Sequence, residues 1–533
     1  MKAIKELIAS GHAEISLLII DERNTQHKKI SFLNKVFKKH SIYNFFYNRL
    51  VKPDALKEID IAGKLNDVKI IYCSPEKISH FEEFSNKDVE KIKSNNLDFI
   101  IRFGFNIIRG EILNAAGMGV WSYHHGDEMK YRGGPPAFWE IYDDEPVTGV
   151  ILQRLTNKLD AGIILKKGYY KTVNHSYKET LNTILIDSSS WIAQVCREII
   201  IKGKENSNWK TSETKAKVFT FPSNTLSILF LFKLFVNKIR FHIKNLFQVE
   251  QWNFGIVKQP VKDFIENGLK NELISYPLNT KKYFAADAFG FIQNEKINIC
   301  FEKYEYKQSK AEIHSTTFDC ESKTFSESET IISSSYHLAY PYIIEQDGDI
   351  YCLPENNIRA NYIFKLKGKN VWEKASIDFP ENDLIDCTIF FHGDYYWLFC
   401  TRKTEGSNLK LFIYYSDNLK GPYLTHLLNP VKTDISSARP AGTPFIVNGE
   451  LFRPSQDSSE TYGGRIKINK VTSLSPDSFS EITIKIIEPF DKSFNKGIHT
   501  FAVIDDYILL DSKKYIFSLD HFIKNLKGMF RKA

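Results

Sequence analysis

Ser122, the pair His124-His125 and Asp160 are the residues of this chain whose types and spacing can do chemistry. The histidines close an apolar run, Gly119-Val-Trp-Ser-Tyr-His-His125, and the aspartate stands in a polar loop before Ala161-Gly162. Between them lies a glycine-proline turn, Tyr131-Arg-Gly-Gly-Pro-Pro136. A histidine can take the proton that an amine nucleophile must lose, or meet the negative charge that grows on a carbonyl oxygen. A carboxylate beside it fixes the ring and favours its charged form. Ser122 adds one hydroxyl donor, short and free to rotate. Taken singly, each reads as a surface or turn residue; it is the joint spacing that suggests a site.

The elements that must position these residues come from hydrophobic patterning. Residues 1–125 alternate helical and strand patterns. Helices are predicted at Lys2–Ser10, Lys28–Lys39, Asn86–Ser94 and Ile108–Ala115, and strands at Glu14–Asp21, Val68–Cys73, Leu97–Phe103 and Val120–His124. Short apolar strands between helices imply a parallel sheet covered on both faces, an α/β Rossmann-like domain, with its site outside the carboxyl ends of the strands. The chain opens on a helix where such a domain opens on a strand, so a first strand is expected to be missing upstream of Met1. Residues 147–171 read as strand, polar loop, strand, and Tyr177–Lys202 as one helix.

This first part, about residues 1–200, resembles the formyltransferase family, which includes the methionyl-tRNA and sugar-amine formyltransferases. The resemblance rests on Leu97-Asp-Phe-Ile-Ile-Arg-Phe-Gly-Phe105, Ser122-Tyr-His124, the Tyr131 turn, Thr148-Gly-Val150 and Leu159-Asp-Ala-Gly-Ile-Ile164. It implies transfer of a formyl group from 10-formyltetrahydrofolate to an amine, with His124 and Asp160 as catalytic residues. The family's asparagine falls on Ser122, which removes a fixed oxyanion donor, a loss of about 10²–10³ in rate where such donors have been deleted. The resemblance places the folate against the loop Arg102, Phe103, Gly104 and Phe105. Asp127 and Glu128 replace an apolar segment of the family, altering the substrate mouth.

Composition bounds the rest. At 533 residues, with 43% hydrophobic and 25% charged residues and a net charge of +7, the chain is globular with two to four domains. Seven scattered cysteines and no C-x-x-C pair indicate neither a disulfide framework nor a metal site, and suit a reducing cytoplasm. Residues 205–258 are expected as a linker carrying a basic amphipathic helix at 225–247. That helix either packs between domains with snorkelling lysines or lies in a membrane interface, and the basic tail 517–533 has the same character.

From about Gln259 a hairpin unit repeats, with corresponding residues Phe291, Tyr342, Ile389, Phe445 and Phe501 spaced about 50 residues apart, the mark of a β-propeller, here five-bladed over 259–516. Equivalent strand ends of a propeller converge on one mouth, which gathers Asp287, Glu355, Asp386, Arg439 and His499 as a substrate-binding set. Polar channel residues satisfied by water, a carbohydrate-binding site, and a catalytic carboxylate pair all fit this set. The segments Trp252-Asn-Phe-Gly-Ile256, Tyr351-Cys-Leu-Pro-Glu355 and Ala438-Arg-Pro-Ala-Gly442 look like the N-terminal domain of plant glucosamine inositolphosphorylceramide transferases, which is similar to five-bladed family 43 glycoside hydrolases. Asp287 and Asp386 match that family's aspartates, while the fourth blade offers Arg439 and Gln456 where a glutamate is expected. The two resemblances together imply formyl transfer to an amino sugar in surface-glycan synthesis, with the propeller holding the glycan. The alternatives are a glycan-binding protein with a degenerate transferase domain, and a propeller glycoside hydrolase or transglycosylase. Nucleic acid is not expected as a partner, because the charge excess is small.

Overall fold

The computed structural model describes residues 2–23, 39–57, 65, 68–203, 209–278, 280–356, 361–519 and 521–523. The predicted helix at 28–39 and the tail beyond 523 lie almost wholly or wholly outside them. The chain divides into two compact units, residues 1–241 and 242–533.

The first unit is α/β. Leu17–Asp21 pairs in parallel with Lys69–Cys73, and Ile100–Ile101 in parallel with Val120–His124. Val120–His124 then runs antiparallel to Val147–Arg154, which pairs with Ile163–Lys171. The resulting five-stranded sheet is mixed, with Val120–His124 inside it, so the strand that ends on His124 is held on both edges. Helix Asn86–Lys93 shows how local sequence builds the frame. The Ser85 hydroxyl accepts the Asp88 N–H at 3.1 Å, capping the first turn, and Val89 and Ile92, three apart on one face, are fully buried.

Three local expectations change. Leu97–Phe103 forms a strand only at Ile100–Ile101, though the Arg102 N–H still donates to the Trp121 carbonyl at 2.9 Å, and the Arg102 guanidinium binds loop carbonyls. Ile108–Ala115 is a short strand, Ile108–Arg109, and a 3₁₀ turn at Glu111–Asn114, where Gly110 (φ 82°) breaks any α-helix. The single helix expected at Tyr177–Lys202 is two, Tyr177–Asp187 and Trp191–Lys202, separated by a tight turn at Ser188–Ser190 whose hydroxyls bond back to the preceding carbonyls.

The second unit is a ring of five sheets, three of four strands and two of five. Blade 1 comprises Tyr283–Gln293, Lys296–Glu305, Lys310–Asp319 and Thr324–Phe325; blade 2 spans 338–376, blade 3 spans 384–425 and blade 4 spans 445–487. Two-residue turns such as Asp347-Gly348 and Asn448-Gly449, with both residues at positive φ, set the hairpin registers. Blade 5 joins the chain's two sides. Phe501–Ile504 and Tyr507–Phe517 come from the C-terminal side, and Gln248–Lys258 and Ile274–Ser275 from before blade 1. Gln248–Lys258 pairs with Tyr507–Phe517 along its whole length, from Gln248 opposite Phe517 to Lys258 opposite Tyr507. Residues 248–258, expected as linker, are therefore part of the propeller and close it.

Candidate functional site

The first unit assembles one cluster around the end of Val120–His124. His124 is buried, and its Nδ1 lies 3.5 Å from Asp160 Oδ1. Its Nε2 donates to the Tyr131 carbonyl at 2.8 Å, so the ring is held at both nitrogens. A Cβ at Gly126 would stand 2.8 Å from that Nε2, so a glycine is needed there. The Tyr-Arg-Gly-Gly turn acquires a clear task. Arg132 donates to the Leu159 carbonyl through Nε (3.0 Å) and Nη2 (2.5 Å), and the Gly133 N–H donates to Asp160 Oδ2 at 2.8 Å. The turn thus holds the aspartate, itself at positive φ (46°), against the histidine.

Ser122 is buried, and its hydroxyl accepts from Arg102 Nη2 at 2.9 Å and Nε at 3.2 Å. The same guanidinium donates to the carbonyls of Asn106 (2.7 Å) and Phe105 (3.2 Å). Burial lowers the Arg102 pKa, with Asp160 and Glu82 opposing. Arg102 and Phe105 line a cavity of about 400 Å³ with Lys77, His80, Phe81 and Glu82. Of the loop expected to meet a folate, Phe103 and Gly104 are not among the lining residues, and Phe103 is exposed. His125 stacks on Tyr123 at 5.6 Å, and burial, with His124 beside it, lowers its pKa to about 3. Asp127 and Glu128 are occupied by Lys167 Nζ at 2.7 and 2.9 Å.

The propeller brings together all five residues of its expected set, in two linked groups. Asp287, Tyr340 and Asp386 sit inside their strands at β-bulges, in the left-handed region at φ 52°, 45° and 50°. A bulge repeated in three consecutive blades re-aims the same position each time. In the first group Asp386, 2% exposed, accepts from Arg439 Nη2 at 3.0 Å and Nε at 2.5 Å, and from Gln456 Nε2 at 2.8 Å. Its own N–H donates to Glu355 Oε2 at 3.3 Å. Arg439 also donates to Asn408 Oδ1 at 3.0 Å and lies 5.1 Å from the Tyr462 ring centre.

In the second group His499 stands between carboxylates, with Nδ1 2.6 Å from Asp511 Oδ2 and Nε2 3.3 Å from Asp287 Oδ1. Its ring lies 3.9 Å from that of Trp252, an approach that Gly463 permits, since a Cβ there would meet both. Asp511 Oδ1 accepts the N–H groups of His499 and Thr500 at 3.0 and 2.9 Å, and the Thr500 hydroxyl donates to Asp287 Oδ1 at 2.6 Å. Asp287, His499 and Asp511 present donor atoms within 4.8 Å of one another, a spacing that a metal ion also accepts. Asp511, Glu302 and Gln456, on the second strands of their hairpins as Glu355 is, belong to the same centre. Arg402, at the same place on blade 3, turns away to Glu381 and Asp383.

The electrostatics are those of a crowded acidic centre. Burial pushes the Glu355 carboxyl up to about 8, Asp386 adds to this and Arg439 opposes it. Burial, then Asp287, raises Glu302 well above the usual range. Burial raises Asp287 against the pull of His499. Burial alone would discharge His499, but Asp511 and Asp287 outweigh it and raise its pKa. Burial would raise Asp511, but His499 and two backbone N–H groups hold it low. The centre thus alternates protonated acids, ionised acids and cations, which suits a ligand of many hydroxyls. Glu355 and Asp386 are in contact, too close to bracket a glycosidic bond, which needs about 5–9.5 Å between carboxyls.

These features define the second unit as a five-bladed propeller with an acidic, arginine-bearing centre, preceded in the chain by an α/β unit. A family model described as glucosamine inositolphosphorylceramide transferase 1, N-terminal, matches residues 232–520, more than half of the chain. The chain belongs to that family. It is 31% identical over 230 residues to "Glucosamine inositolphosphorylceramide transferase 1" of Oryza sativa subsp. japonica, covering 41% of this chain and 30% of the relative. A second likeness, 30% over 120 residues, is to "Methionyl-tRNA formyltransferase" of Enterococcus faecalis, covering 22% of this chain and 35% of the relative. The chain therefore spans about a third of the length of either. Among solved structures, a family 117 glycoside hydrolase from Zobellia galactanivorans is 13% identical with a TM-score of 0.34, over 52% of this chain and 92% of that one.

Proposed function

We propose that the protein is a glycan-modifying transferase in which the propeller binds the sugar and the α/β unit, a formyltransferase-like Rossmann domain, passes a formyl group from 10-formyltetrahydrofolate to an amino sugar. The observation that carries the sugar reading is the Glu355–Asp386–Arg439–Gln456 group, whose donors and acceptors converge within one buried centre. Membership in a family described by a glucosamine-bearing lipid transferase, and a likeness to a methionyl-tRNA formyltransferase, support the two halves separately.

The α/β cavity fits the donor in size and charge. Its volume of about 400 Å³ accommodates a pterin, and Lys77 and His80 complement the carboxylates that a folate carries. Arg102 and Phe105 would hold it, and when bound it supplies the formyl carbon. The chain's own residues would do the rest. Arg102 takes the oxyanion role that Ser122, already accepting from it, does not fill. Asp160 orients His124; with the ring proton on Nδ1, facing Asp160, and Nε2 turned away from the Tyr131 carbonyl, Nε2 accepts the amine proton.

A second reading has its own observation. Ser122 and His124 are both occupied by protein partners, the state of a transferase site retired to a binding role. Calorimetric titration separates the two. Tetrahydrofolate binding that Arg102→Gln abolishes supports transfer, and formylation of a glucosamine-containing oligosaccharide that His124→Ala stops establishes it. No folate binding, with oligosaccharide binding that Asp386→Asn removes, overturns the transfer reading and leaves a glycan-binding protein.

A further inference from the structure

Asn224–Phe247 is a helix of 24 residues without a single Asp or Glu. Its inner face is fully employed within the first unit. Phe230 is buried against Phe138, with ring centres 4.1 Å apart, Asn237 Nδ2 donates to the Asn174 carbonyl at 3.1 Å, and Lys233 Nζ reaches both the Tyr142 carbonyl and Asp144 at 2.6 Å. Phe241 stacks on His175 at 3.8 Å. Packing therefore accounts for one face only.

The opposite face is apolar and exposed. Ile228 (55%), Phe232 (65%), Phe235 (61%), Ile239 (43%) and Ile243 (54%) follow one another at steps of three or four and form a single stripe. Lys238 and Arg240, both exposed, flank it on either side. At the helix's C-terminal end, Ser518 N–H donates to the Phe247 carbonyl at 3.3 Å, and Phe522 stacks on Phe247 at 4.9 Å. Within the second unit, Phe517, Leu519 and Ile523 are exposed apolar side chains. The chain then continues with Lys524, Lys527, Arg531 and Lys532. No helix among the described residues is long and apolar enough to cross a membrane.

We propose that this stripe lies on an anionic lipid surface, with Phe232 and Phe235 entering the headgroup–acyl boundary and Lys238 and Arg240 meeting lipid phosphates. A stripe of large apolar residues between basic flanks, on a helix that itself carries no acid, is the pattern of an interfacial helix. A second copy of the chain would bury the same apolar stripe, but two such faces would set Lys238 and Arg240 against their own equivalents. Charge complementarity favours the lipid.

Vesicle co-sedimentation of the full chain tests this, using phosphatidylcholine with and without phosphatidylglycerol. The wild type is expected to bind the phosphatidylglycerol vesicles. Lys238→Gln with Arg240→Gln weakens that binding about 30-fold, from about 1 kcal/mol for each lost charge. Phe232→Gln weakens it about tenfold or more. All three side chains are solvent-exposed, so the variants keep the fold, checked by unaltered unfolding midpoints. Absence of wild-type binding to phosphatidylglycerol vesicles overturns the proposal. So does a wild-type dimer in sedimentation equilibrium that Phe232→Gln splits without changing vesicle binding. Neither outcome depends on whether the protein transfers formyl groups.

Discussion

Replacing Arg439 by methionine tests the electrostatic account of the propeller centre directly. Asp386 is 2% exposed and takes three side-chain hydrogen bonds, two of them from Arg439. Arg439→Met leaves that carboxylate with Gln456 alone, next to Glu355. Removing one member of a buried, hydrogen-bonded ion pair costs about 3–5 kcal/mol, because the remaining charge stays desolvated and unpaired. For a unit of this size, about 2–4 °C of midpoint is lost per kcal/mol, so unfolding of the propeller should fall by roughly 6–20 °C. Adding Asp386→Asn removes the stranded charge and should recover about 2 kcal/mol or more, giving a large coupling in a double-mutant cycle. Arg439→Lys should fall between, since an ammonium keeps the charge but not the planar fork. Scanning calorimetry with urea unfolding reads wild type, the three single variants and the double variant. An Arg439→Met midpoint within about 2 °C of wild type, or an Asp386→Asn change that worsens rather than relieves it, would refute the account.

Further outcomes follow from the same geometry. Glu140 is buried, and its Oε1 has no hydrogen-bond partner among the described residues; burial raises its pKa to about 8. Its protonated form is favoured by folding, so stability is fully present below the unfolded value of about 4.3 and is lost as pH rises toward 8. Glu140→Gln should flatten that loss in urea unfolding of the first unit, and an unchanged slope would count against the burial. In the propeller, raised pKa values at Glu355 and His499 act in the same sense. The His499 contribution is present below about 6.5 and is lost as pH rises through its folded value. The propeller should therefore be more stable near pH 6 than near pH 9, and Glu355→Gln with His499→Gln should shrink the difference. Asp160→Ala removes the acceptor of the Gly133 N–H, so exchange of that amide, read by NMR or mass spectrometry, should speed about tenfold or more.

Much of the architecture is local information and was readable in advance. The propeller was legible because each blade repeats one hairpin whose turn chemistry and alternation are written in contiguous residues. Its closure was not. Gln248–Lys258 finds its partner at Tyr507–Phe517, a pairing across some 260 residues that no local pattern encodes. The same holds for Asp511, which accepts the Asp287 N–H from 224 residues away.

In the α/β unit the sequence alone determined which residues are candidates. A histidine after an apolar strand, an aspartate before a glycine and a Tyr-Arg-Gly-Gly turn are each set by residue type and spacing. Only the tertiary structure decided what they do to one another. It assigned Arg132 and Gly133 to hold the Asp160 loop, tied His124 Nε2 to a backbone carbonyl, and filled the place beside Ser122 with the Arg102 guanidinium. Donor and acceptor partnerships depend on distances of about 3 Å and on direction, and these are fixed only when strands far apart in the chain pack together.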